Sequence, residues 1–93
     1  MEISVDFEPI PVDENLDYMD YRSYYSKELE RMVNELFTEH DILAIVGDRF
    51  WLRLRGNEDD VFPSIVTERI FDFYGPDDKG VHFIFERDNE KSK

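Results

Sequence analysis

The chain of 93 residues has no cysteine, four glycines, four prolines, and only eleven lysines and arginines against twenty-three aspartates and glutamates. Each shortage excludes something. Without cysteine there is neither a disulfide framework nor a thiolate metal site. Gly47, Gly56, Gly75 and Gly80 all read as turn residues, so no glycine-rich loop is left to cradle a phosphate. The longest apolar run is Ile42 to Val46, far below the ~20 residues that span a bilayer as a helix. The opening Met1 to Phe7 is acidic where a secretory signal is basic and then apolar. The expectation is a cytoplasmic protein without membrane contact.

The shortage of cations leaves a net charge of −12 and a pI near 4.4. Such a field repels nucleic acid and anionic membrane and attracts basic protein surfaces. The partner expected is therefore a basic protein surface, with no direct nucleic-acid binding. The same composition, with arginine outnumbering lysine seven to four, also fits a salt-adapted organism, in which acidity serves solubility alone.

Catalytic parts are scarce too. His40 and His82 have no neighbours at zinc-site spacing. Within Glu39-His40-Asp41 adjacent helical residues point apart, and His40 reads as a cation favoured at a helix C-terminus. Asp59-Asp60 and Asp77-Asp78 lack the alternating ligands of a calcium loop. No serine or threonine sits in a nucleophile-elbow context. The expectation is no enzyme, no catalytic residue, no metal and no cofactor.

What is present is packing material. The chain is 41% hydrophobic, with eight Phe, five Tyr and one Trp, enough for one modest core. Ile3, Val5 and Phe7 alternate with Glu2, Ser4 and Asp6, a half-buried strand that Pro9 and Pro11 end. Residues 16–39 read as one long helix capped by Asn15. At 100° per residue, Tyr18, Tyr25, Leu29, Met32, Val33 and Leu36 form its apolar stripe, with Phe37 at the edge. The period then switches to two. Asp41 to Val46 and Arg49 to Arg55 flank Gly47-Asp48, the signature of a type II′ hairpin. In that register Trp51, Arg53 and Arg55 share a face with Ile42, Ala44 and Val46, and the helix is expected to cover that face. Gly56 to Asp60 reads as a polar loop. Ser64 to Tyr74 is rich in β-formers but open to a helical turn at Ser64. Gly75 to Gly80 reads as a turn, and Tyr74 paired with Val81 would set Arg69 against Glu86 and Glu68 against Arg87. The expected fold is α+β: a single small domain over 1–88, an antiparallel sheet of four or five strands with one long helix packed on one face, ordered β-α-β-β-β-β, and a solvated tail at 89–93.

Two features can carry function. On an ideal helix Asp17, Asp20, Glu28, Glu35 and Glu39 project within an arc of ~100° and span about 33 Å, with Tyr21, Tyr24 and Arg31 on the same face. A row of carboxylates of that length imitates the phosphates that draw lysine and arginine to nucleic acid. It equally suits the solvated side of an acidic amphipathic helix. Asp59 and Asp60 add charge in a loop. The second feature is the row Trp51, Arg53, Arg55, of residue types enriched at binding hot spots, a secondary interface candidate. The leading expectation is a small acidic inhibitor or nucleic-acid mimic that occludes a basic site through Asp17, Asp20, Tyr24, Glu28, Glu35, Glu39, Asp59 and Asp60. Phage and plasmid counter-defence proteins and immunity proteins share this generic profile: short, acidic, cysteine-free. The alternative is an assembly module, a homodimer or a subunit of a larger complex, whose contact is a sheet face or the exposed edge of the last hairpin.

Overall fold

A computed structural model of the chain describes residues 1–8 and 18–88, without the side chains of 18–21, 57 and 58. The order is β1 (Glu2–Glu8), α1 (Tyr18–His40), β2 (Arg49–Leu54), β3 (Asn57–Gly75) and β4 (Asp78–Arg87). The four strands form one sheet in the order β1-β4-β3-β2, and α1 packs on one face of it. The fold is α+β, as the sequence patterns imply. Asn15, the expected cap, and the expected tail at 89–93 lie outside the described residues.

The alternating strands do what their patterns require. Ile3, Val5 and Phe7 of β1, Leu52 of β2, Phe62 and Val66 of β3, and Val81, Phe83 and Phe85 of β4 are all buried on the helix side. Tyr25, Leu29 and Val33, spaced one turn apart along α1, meet them and are completely buried. Tyr25 is the centre. Its ring lies 5.5 Å from Phe7, 5.3 Å from Phe62 and 5.0 Å from Tyr24, tilted or edge-on as aromatic quadrupoles prefer. Its hydroxyl oxygen accepts the Arg55 N–H at 2.7 Å, so the polar tip of a buried side chain is satisfied. The buried Ser64 hydroxyl likewise donates to the Phe50 carbonyl at 2.8 Å.

The helix ends at Asp41, whose φ of 59° is the left-handed conformation that aspartate tolerates. Its N–H closes the last turn on the Phe37 carbonyl at 3.0 Å.

Three local expectations are corrected. First, 41–46 is not a strand: Ala44 is buried in the core within an irregular segment, and the turn leading into β2 is Val46-Gly47, closed by the Asp48 N–H on the Ile45 carbonyl at 3.0 Å. The β2 hairpin partner is β3 instead, through Arg55-Gly56, with Leu54 opposite Asn57. Gly56 takes φ 88° there, which any side chain would resist. Asn57 to Asp60 therefore belong to β3, not to a loop. Second, the sheet is mixed. One helix between β1 and β2 returns the chain, so both strands run the same way; β3 reverses, β4 reverses again, and β4 lies parallel to β1. Third, the last hairpin turns at Pro76-Asp77, with Gly75 opposite Asp78. The register is Arg69 opposite Phe83 and Glu68 opposite Ile84, so the two expected charge pairs do not form. Gly80 is a strand residue: a Cβ there would sit 3.1 Å from the Glu2 carbonyl oxygen, so glycine permits the close approach of β1.

Candidate interaction surface

The sequence-derived helix row is only partly a row of free charge. Asp17 lies outside the described residues, and Asp20 falls in α1. Glu28 and Glu35 flank Arg31, whose guanidinium reaches Glu28 at 3.0 Å and Glu35 at 3.5 Å. Hydrogen bonding to Glu28, reinforced by the charges of both glutamates, raises the Arg31 pKa above its ordinary value. One cation against two carboxylates thus cancels half of the charge in the middle of the row. Glu39 is exposed at the helix end, and Asp59 and Asp60 are exposed at the start of β3.

The helix does not cover Trp51. Leu52 faces α1, so Trp51 faces the open side of the sheet and is 58% exposed. The expected covering failed because Ile42, Ala44 and Val46 are not in the sheet and give that face no apolar character. Arg53 shares the open side; Arg55 stands at the turn with its guanidinium 5.0 Å over the Tyr24 ring. The two expected groups do meet. A groove of ≈ 380 Å³ between α1 and the β2 edge is lined by Tyr24, Glu28, Arg31 and Met32 on one side and by Trp51 to Arg53 on the other.

On the open face, Ser4 Oγ lies 2.7 Å from His82 Nδ1, and His82 Nε2 lies 3.3 Å from Asp6 Oδ2. Arg22 in turn reaches Asp6 and Glu8, each at 3.5 Å. The order serine, histidine, aspartate resembles a nucleophile, base and orienting acid. Here Ser4 and His82 are direct cross-strand partners of β1 and β4, and the row ties the edge strand to its neighbour. Among the described residues no group of three or more histidines, cysteines or carboxylates could hold a metal ion. No helix of the structure is long and apolar enough to cross a membrane.

Among the described residues, the most exposed apolar side chains lie elsewhere. β2 pairs with β3 only as far as Ile65, with Val66 bonded to Gly47 and Asp48. Beyond Val66, β3 and β4 run on toward Pro76-Asp77 with the outer edge of β3 no longer covered by β2; β1 still flanks β4 as far as Gly80, so only the tip from Phe73 to Lys79 is a two-stranded ribbon. Phe71 is 55%, Phe73 72% and Tyr74 77% exposed, and Ile70 is exposed as well. Ile42, Ile45 and Val46, also exposed, belong to the segment that the Arg69 guanidinium holds by donating to the Ala44 carbonyl at 3.0 Å. Arg69 also stacks 4.9 Å over Phe71, and Lys79 sits 5.8 Å over Phe73. These ribbon residues were not among the site residues drawn from sequence. The signal was present: Ile70-Phe71-Asp72-Phe73-Tyr74 is apolar on both faces of a strand beside a Gly-Pro turn, and a ribbon end cannot bury both.

No family model matches the chain, and no curated protein or solved structure matches it.

Proposed function

We propose that this protein is a non-enzymatic binding module that works by protein–protein contact, and that the end of the β3–β4 ribbon makes the contact. The observation that carries the reading is the cluster Ile70, Phe71, Phe73 and Tyr74, exposed together on a ribbon that extends past the strand pairing of β2. Scattered surface apolar groups need no explanation, but a run of them on both faces of one strand end in a chain this polar marks an interaction site. The aromatics supply large contact area for few rotatable bonds, the economy that interface hot spots use.

A second reading is the occlusion of a basic, nucleic-acid-binding surface by the carboxylates, as an inhibitor or nucleic-acid mimic. It is favoured by Glu39 and Asp41, exposed at the end of α1 without an ion pair among the described residues. Wild type immobilised on a resin and exposed to an extract of its native host separates the two. Under the first reading Phe73→Ser with Tyr74→Ser weakens capture at least tenfold, while Glu28→Lys, Glu35→Lys and Glu39→Lys together leave it intact, and capture survives high salt. The reverse pattern, with capture lost steeply as salt rises, transfers the contact to the helix. Capture insensitive to the ribbon substitutions ends the first reading.

A further inference from the structure

We infer that the partner of the ribbon is a second copy of this chain, joined through the outer edge of β3 in an antiparallel register centred on Phe71. The inference rests on the interaction reading above and names its partner.

The backbone supplies the edge. Val66 turns its N–H and C=O away from β4, to Asp48 and Gly47. The pairing with β4 then jumps from Val66–Phe85 to Glu68–Ile84, one residue being inserted at Thr67. That bulge inverts the parity. Past it Arg69, Phe71 and Phe73 point their backbone groups outward, while Ile70 and Asp72 point theirs at β4. Among the described residues no backbone group bonds to those outward amides. A strand edge of this kind is a template for another strand.

Charge selects the occupant. Arg69 to Tyr74 holds one cation and one anion, so this edge is neutral within a chain of −12. A basic partner finds no excess of carboxylates there, whereas a second acidic copy meets no net charge along the paired residues. Charge also selects the register. Antiparallel pairing about a two-fold axis keeps side chains on matching faces only when a residue pairs with itself. Centred on Ile70, the pairing sets Glu68 against Asp72 of the second copy; centred on Asp72, it sets that carboxylate against its own copy. Both oppose like charges directly. Centred on Phe71, it sets Phe71 against Phe71 and Arg69 against Phe73 of the second copy, with no like charges opposed between 69 and 73; centring on Phe73 also avoids like charges but leaves only 71–75 to pair before the Pro76-Asp77 turn, so length decides for Phe71. In the Phe71-centred register the second ribbon end runs alongside β3 toward the Val46-Gly47 turn, where Ile45 and Val46 are exposed.

The absence of cysteine makes a register test direct. Directly opposed Cα atoms of a hydrogen-bonded antiparallel pair are about 5.5 Å apart, within the reach of a disulfide. Under mild oxidation Phe71→Cys is expected to become a covalent dimer nearly completely. Phe73→Cys is expected to stay monomeric, because its two copies are offset by four residues, about 13 Å. Equal cross-linking of both variants, or of neither, overturns the inference. If neither cross-links yet Phe73→Ser with Tyr74→Ser still abolishes capture of a host protein, only the identity of the partner is wrong. If neither cross-links and capture is also unaffected, the ribbon reading falls with it.

Discussion

Tyr25→Ala is expected to remove a large part of the stability of the domain. The side chain is completely buried against three other rings. Deleting a buried aromatic costs about 3–5 kcal/mol, because lost burial and residual cavity add. A domain of this length is stable by roughly 5–14 kcal/mol in all. The melting temperature should therefore fall by roughly 12–40 °C, at 4–8 °C per kcal/mol for a domain of this size. Tyr25→Phe keeps the ring and loses only the hydroxyl bonded to the Arg55 N–H, a loss of about 1 kcal/mol. Thermal unfolding followed by circular dichroism separates the two. A cost below 1 kcal/mol for the alanine variant would mean that the core does not close on Tyr25.

The second large effect is on association. Phe71→Asp is expected to weaken self-association at least 100-fold, about 2.7 kcal/mol, without lowering the melting temperature. The ring is more than half exposed and contributes little to the core, but in the Phe71-centred pairing the substitution removes two stacked rings and opposes two carboxylates. The salt dependence has a definite sign. Each copy carries −12, so added salt screens the repulsion between copies and should strengthen the wild-type dimer. Contact with a basic partner would weaken under the same change. Sedimentation of wild type and variant at low and high salt reads both effects, and a dimer that tolerates Phe71→Asp would place the contact elsewhere.

Much of the fold was legible because burial imposes a period. Ile3, Val5 and Phe7 in β1 and Tyr25, Leu29 and Val33 in α1 announce their faces by spacing alone, and both are buried as their patterns require. Ile42 to Val46 misled because a short apolar run looks the same in a strand and in a core-filling loop; only Ala44 goes fully inside. Gly47-Asp48 has the chemistry of a hairpin turn, yet the chain turns one residue earlier, at Val46-Gly47, and the strand it feeds pairs with β3. The decision lies in long-range competition for β2 that no local window contains. The hairpin register was missed at the turn, since a two-residue connection at Pro76-Asp77 in place of the six residues Gly75 to Gly80 shifts every pair behind it. For the surface, composition pointed at the carboxylates, and Arg31 between Glu28 and Glu35 shows how an ion pair can blunt a row that a helical wheel draws as continuous. The ribbon aromatics were read as packing material because aromatics usually are. What distinguishes them is that β2 stops short of them, which is a property of the sheet.

Amide hydrogen exchange of the wild-type chain, followed as its concentration is raised, tests most directly whether the ribbon edge is where this protein meets its partner. The account predicts that the outward amides of Arg69, Phe71 and Phe73 exchange quickly in dilute solution and slow at least tenfold as concentration rises, while the Ile70 amide, turned toward β4, stays protected throughout. Outward amides that exchange at one fast rate at every concentration would contradict it.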